Sequence, residues 1–145
     1  MTMVIIGIIS AVAAPRFFDN NVFQSRGFAD QVQASLRYAQ KAAIAKHRNV
    51  CVTFTLPAPS TITLMIDSNT PPDGACNAAP AGNLQSPTGD ASYVITAPAG
   101  IAFAALPTDF SFDALGRPSF AIQQSISIVG ATNPVLIEAE TGYVH

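Results

Sequence analysis

Beyond Arg48 this sequence has almost no positive charge. One base, Arg117, stands there against seven acids: Asp67, Asp73, Asp90, Asp109, Asp113, Glu138 and Glu140, a net −6. A surface of that sign repels a phosphate backbone, so a nucleic-acid role for this part is disfavoured. The first 48 residues reverse the balance. Arg16, Arg26, Arg37, Lys41, Lys46 and Arg48 face only Asp19 and Asp30, a net +4. Charge of either sign is scarce: 11% of the 145 residues, where a soluble domain has about a quarter. Hydrophobic residues make up 49%, which excludes disorder, since disorder needs low hydrophobicity and high net charge. The length suits one domain.

Catalytic signatures are also missing. Two cysteines with only His47 nearby are too few for a zinc site, which wants four ligands. No G-x-S-x-G is present, and no serine has a partner histidine in a nucleophile pattern. The GRP and TGD stretches are turns, not a glycine loop that cradles phosphate. Asp109 and Asp113, with loop carbonyls, are a conceivable calcium pair, but no dense acidic loop surrounds them. Glu138 and Glu140, at spacing two, share one strand face; a carboxylate pair for sugar hydrolysis needs a set separation and a cleft, so a polar outer face is the ordinary expectation. His47 reads as a helix C-terminal residue and His145 as a solvated one. The expectation is therefore no enzyme, no catalytic residue, no metal ligand and no cofactor.

Residues Met1 to Ala14 contain no charge and only two hydroxyls, Thr2 and Ser10. The run MVIIGIISAVAA then meets Pro15 and Arg16. A spanning helix needs about 20 apolar residues, so this run is short for one. It fits a buried core helix, a signal peptide with AVAA as a small-residue cleavage site but no basic start, or a membrane helix lacking its first residues. Pro15 removes a backbone donor and should kink a helix there.

From Ser25 a helical stripe appears: Phe28, Val32, Leu36, Ala39 and Ala43 recur at spacings of three and four. Ser25 is placed to cap this helix and Asp30 to sit in its first turn. Lys46, His47 and Arg48 suit its C-terminal end. Between the two helical runs, DNNVFQ is poor helix material and is expected to be a kink or loop.

From Val50 the period becomes two. VCVTFTL puts Val50, Val52, Phe54 and Leu56 on one face, and STITLMI puts Ile62, Leu64 and Ile66 on one face. Further strands are expected at ASYVIT, GIAFA, DFSFD, SFAI, SISIV and PVLIEAE, with turns at 71–74, 86–90, 114–118 and 141–142. Residues 68–90, rich in Pro, Gly, Asn and Ala, read as a long exposed loop held at one point by Cys76. Cys51 and Cys76 close a loop of about 26 residues, worth roughly 3 kcal/mol if oxidised; in the cytosol they would stay reduced. The expected class is α+β: a long N-terminal helix, kinked near Pro15, packed on an antiparallel sheet or sandwich. Residues 1–48 form the helix, with 1–14 and 25–48 as its two parts, and 49–145 the β-rich domain.

The order of these features resembles type IV pilins and pseudopilins. IIGIISAVAAPRFF and SLRYAQKAAIAKHRNV are similar to the two parts of the family's helix. FDALGRP, then SISI and a closing IEAETGYV, resemble its GspH/FimT group of minor subunits. The family begins with a basic leader, a glycine and a Phe-Thr-Leu-x-Glu-type start, and this sequence has none of them. Aligning Gly7 and Pro15 with the family helix leaves the start about seven residues short, and adding them gives the span of about 20 that a bilayer requires. The resemblance implies a single-pass inner-membrane protein with its globular domain in the periplasm, and export, hence a Cys51–Cys76 disulfide. It implies that Ile5, Ile6, Ile8, Ile9, Val12 and Pro15 pack against membrane or neighbouring helices, while Phe28, Val32, Leu36, Ala39 and Ala43 pack on the sheet. The implied partners are other pilin or pseudopilin subunits and the inner-membrane assembly machinery. The family includes adhesive-pilus subunits, type II secretion pseudopilins and DNA-uptake pilins; the acidic second half argues against the last.

Overall fold

The structure, a computed structural model, describes residues 3–7 and 20–145. Residues 3–7 are helical. Helix α1 runs Asn20–Lys46. Six strands follow: β1 (Val50–Thr55), β2 (Thr61–Ile66), β3 (Tyr93–Thr96), β4 (Phe110–Phe112), β5 (Gln124–Ile126) and β6 (Val135–Ile137). The class is α+β, with a four-stranded sheet in the order β3-β2-β1-β4 and a two-stranded sheet β5-β6, all pairs antiparallel. The expected kink at Pro15 lies outside the described residues.

α1 begins earlier than its apolar stripe. Residues 20–24 are helical and exposed, so the loop expected at DNNVFQ is, over these residues, an uncovered helix. Ser25 consequently caps nothing. It is buried inside α1 and donates its Oγ–H to the Asn21 carbonyl at 2.6 Å. The first turn holds no acid, so Asp30 is not there either. Ser25 marks instead where burial starts: a Cβ on Gly130 would lie 2.6 Å from its Oγ.

The other end of α1 closes by a defined turn. His47 has φ of +51°. Its N–H reaches the Ile44 carbonyl at 3.3 Å, and the Arg48 N–H reaches the Ala43 carbonyl at 3.2 Å. Those two bonds around a left-handed residue are the Schellman arrangement, which satisfies carbonyls the helix end would orphan. Asn49 alone then separates it from β1.

Val50, Val52, Phe54, Ile62, Leu64 and Ile66 are buried, as the period of two requires. They lie under α1, whose residues Phe28, Val32, Ser35, Leu36, Ala39, Ala42 and Ala43 are buried against β1, β2, β4 and β6. Each large apolar side chain buried this way contributes about 1.5–3 kcal/mol. Phe103 fills the end of this core, 5.6 Å from the Phe28 ring and 5.5 Å, edge-on, from Phe54.

Two expected strands are not strands. GIAFA contributes one bridge, Phe103 to Ile128, and SFAI contributes none; its Ser119 N–H bonds the Ser111 carbonyl beside β4. Both are short; Ile101 and Phe103 join the main core, Phe120 packs on Phe110 at 5.1 Å, and Ile122 is exposed. PVLIEAE stops as a strand at Ile137, leaving Glu140 in a turn, so Glu138 and Glu140 share no strand face.

Candidate functional site

The residues with a sequence-derived role fall into separate places. Phe28, Val32, Leu36, Ala39 and Ala43 form the sheet-facing side of α1, at most 1% exposed. Ile5 and Ile6 are 58% and 66% exposed, with Met3 and Val4 beside them also exposed. Ile8, Ile9, Val12 and Pro15 lie outside the described residues. Phe23, in the uncovered first turn of α1, is 71% exposed. Among the described residues no helix is long and apolar enough to cross a membrane.

Cys51 and Cys76 form a disulfide with their Cα atoms 6.1 Å apart. It joins the second residue of β1 to the 67–77 loop, but that loop is not held at one point only. Asp67, wholly buried, accepts the N–H groups of Asn69 (3.0 Å), Asp73 (3.0 Å) and Gly74 (2.8 Å). Arg48 donates Nη1 to the carbonyls of Asp67 (3.0 Å) and Asn69 (2.5 Å). Asn49 reaches the Gly74 carbonyl at 2.9 Å, and Asn77 accepts the Ser68 N–H at 2.7 Å. Further on, Leu84 is buried and Asn83 bridges to Met65. Burial pushes the Asp67 carboxyl up; the Gly74, Asn69 and Asp73 N–H groups, with Arg48 nearby, outweigh it and hold the carboxyl below the ordinary Asp value. Sequence periodicity cannot register such a loop, because its order comes from side chains bonding backbone locally.

Three further carboxylates are engaged within the fold. Asp109 Oδ1 accepts the Phe54 N–H at 2.9 Å. Asp113 Oδ1 accepts the N–H groups of Leu115 (2.9 Å) and Arg117 (2.8 Å), and its Oδ2 meets the Arg117 guanidinium at 3.1 Å. Burial raises the Asp113 carboxyl, and these donors bring it below the usual value. Glu138 is lowered by His145, 3.1 Å away, and by Gln123, which donates Nε2 at 2.6 Å. Among the described residues no group of three His, Cys, Asp or Glu is placed to hold a metal ion.

Two polar residues of α1 tie the helix to later parts of the chain. Arg37 grips the Val144 carbonyl through Nε (3.0 Å) and Nη2 (2.9 Å). Gln40 Nε2 donates to the carbonyls of Gly116 and Thr141, each at 2.9 Å. Their spacing of three was the available signal, but no spacing says which side chains reach backwards to backbone. No family model, no curated protein and no solved structure matches the chain.

Proposed function

We propose that this chain is a minor subunit of a type IV pilus, of the GspH/FimT kind and similar to minor pilins of the mannose-sensitive haemagglutinin pilus, acting in pilus assembly and adhesion rather than catalysis. One observation carries the reading: α1 is covered by the β-domain from Ser25 onward, while ahead of it Phe23 and the helical residues 3–7 expose apolar side chains that nothing in the described domain buries. The pilin-like layout, an apolar N-terminal helix delivering a small β-domain, accounts for that division. The apolar part parks the subunit in the inner membrane and later packs against the helices of other subunits, where apolar contacts persist without lipid. The disulfide fits an exported, oxidising location. Replacing Ile8 with Asp places a charge in that apolar run, at a cost of about 2.5–3.5 kcal/mol if the run sits at the bilayer centre. Membrane fractionation of the Ile8→Asp chain should move it to the soluble fraction; unchanged fractionation overturns the reading.

A further inference from the structure

The edges of the four-stranded sheet are treated differently. Along β4 a bridge from Phe112 to Pro118 and a bond from the Ser119 N–H to the Ser111 carbonyl close the outer side. In the second sheet β6 is covered by the chain end, through paired bonds between Leu136 and His145. β3 has β2 on one side, and among the described residues no backbone bond crosses its other side.

The register says which groups are left over. The Ala97 N–H donates to the Ser60 carbonyl at 2.8 Å, so the pair Ala97–Ser60 is hydrogen-bonded. Antiparallel pairs alternate, so Ile95 and Tyr93 turn their backbone groups toward β2. The N–H and C=O of Val94 and Thr96 then point outward. Their side chains are exposed too, whereas Tyr93 and Ile95 are half-buried. Edge strands are commonly guarded by charge or proline; the four residues of β3 have neither.

A groove runs along this strand, walled on its far side by the turn at 86–90 and lined by Pro87, Asp90, Tyr93, Val94 and Ile95. Asp90 is its sole charge. Ser86 and Thr88 donate hydroxyls to Asp90 Oδ2 at 3.1 and 2.7 Å, which fixes the carboxylate in place. The groove therefore suits a cation on an otherwise apolar strand. Among the described residues this chain offers none in extended form: Arg117 is the single base of its β-domain and is engaged by Asp113. Its other described bases, Arg26, Arg37, Lys41, Lys46 and Arg48, belong to α1 and its terminal turn.

We propose that the free edge of β3 is a docking site for an extended segment of a different protein chain, one with apolar residues at alternate positions and a Lys or Arg meeting Asp90. Main-chain bonds to Val94 and Thr96 give such strand addition its affinity, and the cation gives it selectivity. This site is independent of the helix-borne filament reading, and its test does not touch the helix.

The probe is a synthetic peptide, Thr-Val-Thr-Val-Lys, titrated against the full chain in detergent micelles, with backbone amides followed by NMR and hydrogen exchange. Val94 and Thr96 amides should shift and gain protection. Exchanging the peptide lysine for glutamate, or making Asp90→Asn, should weaken binding about two- to fivefold, the size expected of an exposed ion pair. Val94→Pro removes an outward donor without entering the β2 ladder; it should abolish binding while Ala97 keeps its protection. If Val94→Pro also loses the Ala97 protection, the Asp90→Asn arm decides. Unmoved Val94 and Thr96 amides, or equal binding of the glutamate peptide, overturn the proposal. So does protection of those amides that rises with protein concentration in the absence of peptide, which would put a second copy on this edge.

Discussion

Arg37, in the middle of α1, holds the backbone carbonyl of Val144 with two nitrogens, at 3.0 and 2.9 Å, across 107 residues of sequence. Val144 in turn bridges Ile137 of β6, and His145 exchanges backbone bonds with Leu136. The helix thus clamps the chain end, and through it the small sheet. Replacing Arg37 with Leu should lower stability by about 1 kcal/mol, the usual net worth of such bonds at a partly exposed site. Amide exchange should speed up first at Leu136 and His145. Unchanged exchange there would mean the clamp contributes nothing.

Removing the disulfide by Cys51→Ser should lower stability by about 3 kcal/mol in oxidising buffer, in line with the length of loop it closes. In reductant the variant and the parent chain should melt alike. Equal melting in both buffers would rule out a stabilising disulfide.

Asp67 makes stability depend on acid. Its carboxyl is held below the ordinary value of 3.8 in the folded chain. A lowered folded value means that the unfolded chain takes up the proton first as pH falls. The contribution is therefore fully present above the unfolded value and disappears as pH drops through the folded one. Asp67→Asn keeps the size but offers an amide N–H₂ where the backbone presents donors. Denaturant midpoints should show the variant less stable at neutral pH, with the gap closing below about pH 4. A gap constant across that range would exclude ionised Asp67 as its source.

Gly142 sits at φ +67°, and a Cβ there would come 2.3 Å from the Gly116 carbonyl oxygen, the acceptor that Gln40 also uses. Gly142→Ala should destabilise by about 1–3 kcal/mol, since strain and a backbone clash act together. Gln40→Ala alone should cost less, and the pair should cost less than the sum, because the new Cβ would also meet Gln40 Nε2 at 2.7 Å. Thermal melting of both variants and of the pair would separate strain from lost hydrogen bonds.

What could be read in advance follows from periodicity. The stripe from Phe28 to Ala43 located the buried face of α1, and the alternation at 50–56 and 60–66 located β1 and β2, because burial on one face is what those patterns record. The start of α1 escaped for the same reason: residues 20–24 are helical without burying anything, so no stripe marks them. Ser25 read as a cap because serine favours caps, whereas here its small side chain admits the Gly130 turn. The order in the 67–77 loop escaped because Asp67, Asn77 and Arg48 act through backbone groups, which have no sequence identity. For the free edge of β3 the strand was legible in ASYVIT, but its unpaired side depends on sheet order, which the local pattern does not encode.

The junction between α1 and β1 has a mechanical consequence. Only the turn at His47 and Asn49 separate helix from strand, and β1 is an inner strand flanked by β2 and β4. Tension that passes the packed face of the helix enters β1 at Val50 and meets the sulfur crosslink one residue later, at Cys51. From there the load divides between the β1 ladders and a covalent branch into the 67–77 loop. Reduction would remove that branch, and the same pull would then fall on the β1 hydrogen bonds and the packing of α1 on the sheet.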